Sequence, residues 1–479
     1  MDKPAVLVLG GLDPQGCAGI SADIKTLEAH GCHPLPVVTA LTVQSSAGLQ
    51  AFGAVDTSTF MAQVNNCMAD FDIRAIKVGL IPTVEIAQCI KEVLLSLKLP
   101  VVLDPVLGST TGGGQVDEDV ILFIRKHLFP LVTLATPNIP ELFQLTSQHD
   151  NNEQRASSLI REGLKNCLVK GGHADGVLAI DYFFSANTSF YVYQPKSINQ
   201  VRGTGCVLAS AITAHLAMNE DIRDAIVLAK AYISRGIRQA EKVGPYQLIH
   251  HSLAPFTLED IPKLSYQKNG AHQQLSFPSC PKRLGIYPVV DSADWVKKLT
   301  EEGVKTIQLR IKTESTEVKR AAIKAAIAHV QNKAVRFFVN DHWKIAIEQG
   351  AYGVHLGQED LHDANLNAIA NAGLRLGVST HSYWELARAL AVNPSYIALG
   401  PIYETTSKQM PFSPQGEERL RQWVDLLADD YPLVAIGGIN LTRAKALKKT
   451  GVGSVAMITA ITEAADYREA TRAFIDGWQ

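Results

Sequence analysis

Two aspartates, Asp341 and Asp360, each follow the end of a short β-type run, Arg336–Asn340 and Gly353–Leu356. In a parallel sheet successive strand ends lie on one edge, so both carboxylates should open into one crevice. Mg²⁺ suits such a crevice, because this hard cation takes one or two carboxylates and completes its shell with substrate phosphate oxygens. Either aspartate alone could instead cap a helix or loop; the pair, in register with further polar strand ends, favours the metal. Those neighbouring ends add Gln308, Leu309, Arg310, Ile311 and Lys312, then Asn340, then Ser379-Thr380-His381, then a loop Glu404–Pro414 with Lys408. Gly437-Gly438 and Ile458-Thr459 come last. Cations, carboxylates and hydroxyls on one face suggest two bound anions and a metal: a diphosphate leaving group and a phosphorylated acceptor.

The first half has its own candidates. Gly203-Thr204-Gly205-Cys206 opens a long apolar helix, where free N–H groups and the helix dipole make an anion site. A plain tight turn before a helix would look the same. Cys206 is either a base, its thiol pKa lowered by the helix start, or an inert thiol that shapes the anion hole. Asn138-Ile139-Pro140-Glu141 puts a carboxylate near a strand end, or simply starts a helix. Lys170-Gly171-Gly172 follows another strand end, where glycines could let a nucleotide approach the backbone. The sequence has no Gly-Lys-Ser/Thr, which excludes a P-loop kinase.

These residues need a scaffold. Apolar runs at Ala5–Gly10, Val37–Val43, Ala75–Val78, Val101–Asp104, Val132–Thr136 and Cys167–Lys170 alternate with helix-length segments, which predicts a mostly parallel sheet with helices on both faces. Gly176–Tyr182 and Phe190–Tyr193 read as a hairpin on the sheet edge, and two helices come next, near Cys206–Met218 and Asp221–Val243. Residues 256–282 are polar, carry three prolines in Phe256–Pro281 and keep no period, so they read as a linker. From residue 283 strand-like runs begin at Leu284, Lys305, Arg336, Gly353, Arg375, Tyr396, Leu433 and Ser454, each followed by a helix-capable segment. That count predicts a (β/α)₈ TIM barrel over 283–479, with its site at the strand C-termini.

The totals agree. At 479 residues the chain exceeds one core, which stops growing near ~250–300 residues. A net charge of −2 gives no bulk attraction for nucleic acid or an anionic membrane. Seven scattered cysteines without a CxxC pair argue for reduced thiols in a cytoplasmic setting. No apolar run nears the ~20 residues of a membrane span, and Ala5–Gly11 is too short for a signal peptide. The sequence leaves homo-oligomerisation open.

The first half resembles the ribokinase-like superfamily, and within it the hydroxymethylpyrimidine/phosphomethylpyrimidine kinases of thiamine biosynthesis. The likeness spans 1–255 through GLDPQGCAGISADIKT (11–26), VVTALTVQSS (37–46), KVGL (77–80), LDPV (103–106), TPNIPEL (136–142), VKGG (169–172) and GTGC (203–206). It implies ATP as co-substrate. Gln44, Asp23 and Ala18 would line the pyrimidine pocket, and Asn138, Glu141 and Lys170 would lie in the ATP/Mg²⁺ region. Gly203, Gly205 and Cys206 would be catalytic. Cys17 and Arg202 depart from the usual glycine and histidine.

The second half resembles thiamine-phosphate synthase, through QLRIK (308–312), VND (339–341), GVHLGQEDL (353–361), GVSTHS (377–382), TTSKQMPFSPQG (405–416), AIGGI (435–439) and MITAIT (457–462). The resemblance implies that Gln308–Lys312, Asn340, Ser379 and Lys408 hold the pyrimidine diphosphate, with Lys408 also catalytic. Asp341 and Asp360 would carry Mg²⁺, and Thr405, Thr406, Ser407, Gly438, Ile458 and Thr459 the thiazole phosphate. The small-molecule substrates would then be hydroxymethylpyrimidine and its phosphates, thiazole phosphate and ATP. The alternative is a pyridoxal-type or sugar kinase fused to a phosphosugar-handling barrel, but neither QLRIK nor TTSKQMPFSPQG is needed for a simple phosphate site.

Overall fold

The structure, a computed structural model, describes residues 3–45, 48–108, 114–146, 151–172, 176–199, 201–252, 254–267, 275–312, 315–405 and 414–478. The chain divides into two compact units, Met1–Ala271 and His272–Gln479.

In the first unit the strands are β1 (Ala5–Leu12), β2 (His33–Ser45), β3 (Gly48–Ala54), β4 (Ile73–Val78), β5 (Val101–Leu103), β6 (Leu134–Ala135), β7 (Asn166–Val169), β8 (Leu178–Ser185), β9 (Ser189–Pro195), β10 (Glu241–Val243), β11 (Tyr246–Leu248) and β12 (Lys263–Ser265). Ten of them form one sheet in the order β12-β9-β8-β7-β6-β5-β4-β1-β2-β3. The centre, from β2 to β7, is parallel; β3, β8, β9 and β12 add antiparallel margins. Alternation along β1 shows why both faces carry helices. Leu7 and Leu9 join one buried cluster with Phe60, Ile86 and Ile90, whereas Val6 and Val8 join another with Ile20, Leu27 and Ala214.

Three features differ from expectation. The run after β2 turns back as β3, giving a two-stranded arm whose outer face exposes Leu41 and Val43. The helix expected near Asp221–Val243 stops at Arg238, and β10 and β11 then form a hairpin around Gly244-Pro245, a turn pair that a helix cannot continue through. Part of the expected linker is structured: β12 pairs with β9, and Asp260 accepts an ion pair from Arg238 at 2.7 Å. Farther on, Pro278 and Ser279 carbonyls accept from Ser395 and Arg375, and Cys280 is buried in the second unit's core.

The second unit is a closed parallel barrel of β13 (Gly285–Val290), β14 (Thr306–Leu309), β15 (Arg336–Asn340), β16 (Gly353–Leu356), β17 (Arg375–Thr380), β18 (Tyr396–Leu399), β19 (Leu433–Ile436) and β20 (Ser454–Met457). Each strand begins within one residue of its expected start. Tyr287, Val289, Phe338, Tyr396, Val434 and Ala456 fill the interior, so the barrel is a packed core rather than a pore.

Candidate active sites

In the first unit the strand ends and two helix starts enclose a cavity of about 690 Å³. Its lining includes Asp13, Ala18, Gln44, Lys77, Asn138, Lys170, Arg202 and Cys206. The loop before the helix Gly19–Ala29 is pinned by Asp13, whose carboxylate accepts from the backbone N–H groups of Gln15, Cys17 and Ala18 at 2.9–3.0 Å. Opposite, Gly203 caps the helix Thr204–Ala217 at φ 77, and a Cβ there would meet the Cys17 carbonyl at 1.9 Å. Only glycine allows that turn and that approach.

Beneath the cavity lie two charge pairs. Lys77 donates to Asp23 at 2.8 Å, and Ser210 donates to the other Asp23 oxygen at 2.7 Å. Asp23 is fully buried and does not line the cavity; Lys77, which it holds, does. Lys170 contacts Asp104 at 2.5 Å and Glu141 at 3.9 Å, and Thr136 donates to Asp104 at 3.1 Å. Burial alone would depress Lys77, but Asp23, Cys206 and Asp104 more than reverse it, so its ammonium stays charged. Burial raises Glu141 to about 7, with Lys170 opposing and Asp104 assisting.

Of the two readings of Cys206, burial favours the neutral thiol over the lowered one. Burial pushes the thiol up to about 11; Lys77 pulls it down, but Asp23 and Asp104 push it up again. The resting group is therefore a neutral thiol, because desolvation outweighs the helix start. The sequence pattern revealed the dipole but not the depth. Asn138 and Glu141 also have local work: Asn138 Oδ1 accepts from the Glu141 N–H at 2.8 Å, and Glu141 Oε2 accepts from the Asn138 N–H at 2.7 Å, a reciprocal cap. Gly171 is explained by packing, since a Cβ would lie 1.9 Å from the Ile180 carbonyl, whereas Gly172 faces open space. The Gly171 N–H donates to Asp181, which Lys230 holds at 2.5 Å.

In the barrel, alternation sorts the first cluster. Gln308 points inward and donates to Tyr287 Oη at 3.2 Å, while Leu309 is buried as a core residue and offers only backbone to the strand-end space. Arg310, Ile311 and Lys312 follow the end of β14, with Arg310 and Ile311 half-buried and Lys312 exposed. A neutral hydrogen-bonded chain runs on from Gln308: Tyr287 to Tyr396 at 2.9 Å, Tyr396 to His355 at 2.7 Å, and His355 to Ser379 at 2.8 Å. It joins two residues singled out in the sequence through three that were not. His355 stands inside GVHLGQEDL, and its inward register was the available signal. Burial, then Arg310, lowers its pKa to about 4, so the imidazole is neutral.

Asp341 and Asp360 follow the neighbouring strands β15 and β16, whose ends pair Asn340 with His355. Asp341 takes φ 63, and its N–H donates to the His355 carbonyl at 3.0 Å. Gly357 leaves Asp360 room, since a Cβ there would come within 3.1 Å of Asp360 Oδ2. Asp341 follows β15 directly. Asp360, expected at a strand end, stands instead in the first turn of the helix Gln358–Asp363 after β16. Both are hard oxygen donors of the kind Mg²⁺ takes together with phosphate oxygens. Among the described residues no group of three or more His, Cys, Asp or Glu side chains forms a cage of its own. At strands seven and eight, Gly438 takes φ 62 against the Glu404 carbonyl, which brings it beside Thr405, while Ile458 and Thr459 begin a short helix after β20. Thr406, Ser407 and Lys408 lie outside the described residues.

The covered parallel sheet with an anion-ready helix start, and the parallel barrel with basic and acidic residues after its strands, each match a family of transferases. The first unit matches the family model for phosphomethylpyrimidine kinase over residues 13–251, and the second the model for thiamine monophosphate synthase over residues 286–461. A thiamine-phosphate synthase from Salmonella typhimurium is 57% identical over 198 residues, 41% of this chain and 93% of that protein. The pyridoxal kinase from Staphylococcus aureus, solved with ADP, superposes with a TM-score of 0.51 at 23% identity, covering 55% of this chain and 99% of its own, a likeness of fold alone. A phosphomethylpyrimidine kinase from Clostridium difficile is 32% identical over 48% of this chain and 98% of its own, with a TM-score of 0.43. The chain belongs to the phosphomethylpyrimidine kinase family through its first unit and to the thiamine-phosphate synthase family through its second. Among the described residues no helix is long and apolar enough to cross a membrane.

Proposed function

We propose that the two units catalyse consecutive steps of thiamine biosynthesis. The first unit, 1–255 with the strand β12 beyond it, phosphorylates hydroxymethylpyrimidine and then its monophosphate at the expense of ATP. The barrel, 283–479, couples the resulting diphosphate to thiazole phosphate, releasing pyrophosphate and thiamine phosphate. One observation carries this reading: a single chain holds both families, and the product of one is the substrate of the other.

In the first unit Gln44 and Ala18 face the pyrimidine. The start of the helix Thr204–Ala217 offers backbone N–H groups to the transferred phosphoryl group, and Lys77 and Lys170 supply fixed positive charge beside it. Glu141 in the first unit, and Asp341 with Asp360 in the barrel, would hold Mg²⁺, which would supply positive charge against the leaving oxygens. The barrel needs no protein nucleophile. Arg310, Lys312 and Lys408 receive the departing pyrophosphate, and the chain from Gln308 to Ser379 fixes polar groups where the pyrimidine binds. The electron-rich aminopyrimidine tolerates the methylene cation left behind, which the thiazole nitrogen captures. Thr405, Thr406, Ser407, Gly438, Ile458 and Thr459 hold the thiazole phosphate.

The test supplies the purified chain with hydroxymethylpyrimidine, thiazole phosphate, ATP and Mg²⁺. Thiamine phosphate should form, and omission of any one component should stop it. Absence of thiamine phosphate from the complete mixture, with ATP-dependent phosphorylation of pyridoxal in a parallel sample that supplies it, would overturn the reading.

A further inference from the structure

Four charged side chains line the first unit's cavity: Asp13, Lys77, Lys170 and Arg202. Three are already answered by the protein. Lys77 is paired with Asp23, Lys170 with Asp104, and the Asp13 carboxylate with three backbone N–H groups. Arg202 alone has no carboxylate partner among the described residues, yet its guanidinium is held in place. One Nη donates to the Ser45 carbonyl at 2.6 Å. The group also lies 5.5 Å from the centre of the Tyr246 ring, whose hydroxyl donates to Gln15. The β2–β3 arm, the β10–β11 hairpin and the loop before the helix Gly19–Ala29 thus converge on one cation. It sits in the chain directly before Gly203, the cap of the helix that faces the cavity. A planar guanidinium so fixed, with further N–H groups to offer, is a preorganised receptor for a phosphate.

Resting on the kinase reading, we propose that Arg202 recognises the phosphate of the monophosphorylated pyrimidine and is what equips this pocket for the second transfer. The first substrate is a neutral alcohol and needs no such cation. The second is a monoester of about two negative charges that must approach the γ-phosphate of ATP. A cation fixed on the cavity wall offsets that repulsion, and the two paired lysines have less charge to spare. In the step itself an oxygen of the monophosphate bonds to the γ-phosphorus while the bond from that phosphorus to the bridging oxygen of ADP breaks. ADP leaves with the electron pair, and Arg202 stays protonated and exchanges no proton.

The experiment uses the full chain with Arg202→Gln and Arg202→Lys, assayed separately on hydroxymethylpyrimidine and on its monophosphate at fixed ATP and Mg²⁺. For Arg202→Gln, kcat/KM should fall on the order of 30-fold more for the monophosphate than for the alcohol, chiefly in KM, the size expected for a lost hydrogen bond between charged groups. Arg202→Lys should recover part of that difference, since it keeps the charge and loses the fork. Equal losses on both substrates would overturn the proposal and leave Arg202 as a tether for the Ser45 arm. No loss on either would overturn it as well. The rate kept on the alcohol in the same samples shows that the first unit of each variant is folded. Failure of the unsubstituted chain on the alcohol would sink the kinase reading instead, a distinct result.

Discussion

The two sites handle charge in opposite ways. The first unit buries its ions as pairs: Lys77 with Asp23, Lys170 with Asp104 and Lys230 with Asp181 are all largely or wholly buried. The barrel links its interior with the neutral groups Gln308, Tyr287, Tyr396, His355 and Ser379, and keeps Arg310, Lys312, Asp341 and Asp360 after the strands. The chemistry accounts for the difference. Phosphoryl transfer between two anions needs cations that do not move, and burial against carboxylates fixes them. Departure of pyrophosphate needs a neutral, rigid seat for the pyrimidine and charges placed to meet the leaving group. The first arrangement buries its charges as ion pairs, and the second gives the buried positions to neutral groups and leaves the charges outside them.

Lys77→Met should test this most severely. It leaves the Asp23 carboxylate buried without its cation, and breaking a buried pair costs about 3–5 kcal/mol. All five tryptophans, Trp295, Trp343, Trp384, Trp423 and Trp478, lie in the second unit, so their fluorescence tracks that unit alone while far-ultraviolet circular dichroism tracks both. Denaturation should show the first unit melting early with the tryptophan transition unmoved; an unmoved first transition would break the comparison. His355→Leu is the counterpart in the barrel. It strips one partner each from Tyr396 and Ser379, at about 1–3 kcal/mol. The tryptophan transition should shift by that amount and synthase KM for the diphosphate should rise, with kinase rates kept.

Acid should also separate the units. Burial lowers His215 to about 3, His251 to about 4 and His30 in the same direction in the first unit, and His355 to about 4 in the second. An unfolded histidine titrates near 6.5. Below that pH the unfolded chain binds protons that the folded chain refuses, so stability is complete above about pH 6.5 and is lost as pH falls toward the folded values. Glu141 acts in reverse: raised to about 7, it holds a proton in the folded state that the unfolded carboxyl releases down to about 4.5, which favours folding over that window. Burial also raises the Asp23 carboxyl, while its ion pair with Lys77 opposes the shift. Three histidines against Glu141 and Asp23 still leave the first unit the more acid-sensitive. Its denaturation midpoint should fall more steeply from about pH 6.5 to 5 than the tryptophan-reported one, and equal slopes would contradict this. The smallest effect is expected for Cys206→Ser, because a thiol raised to about 11 is already neutral at pH 7. Kinase kcat should stay within about tenfold, whereas a loss in the roughly 10²–10⁴-fold range of a general base would restore the thiolate.

The barrel was legible because eight apolar runs recur with helix-length spacers, and each of its strands faces the same environment. The first unit's central strands were legible for the same reason. The arm strand β3, GLQAFGA, was not, since glycine and alanine carry little alternation, and three-residue β12 is too short for any period. The buried charges were hidden differently. Lys77 sits in IRAIKV, which reads as a buried strand, and its partner lies 54 residues away. Tyr287 and Tyr396 are 109 residues apart, and each alone reads as an ordinary core aromatic. Helix position suggested a low Cys206 pKa; only the depth of the site reverses it.

Asp341 offers the most direct test of two complete sites in one chain. Its φ of 63 is tolerated by asparagine, so Asp341→Asn removes the charge without straining the backbone. That chain should be given hydroxymethylpyrimidine, ATP, Mg²⁺ and thiazole phosphate, and its products monitored over time. The pyrimidine diphosphate should accumulate at the unsubstituted rate while thiamine phosphate falls at least about 100-fold, as expected for loss of a transition-state electrostatic contact. Thiamine phosphate formed at the ordinary rate, or no diphosphate at all, would contradict two complete sites acting in sequence.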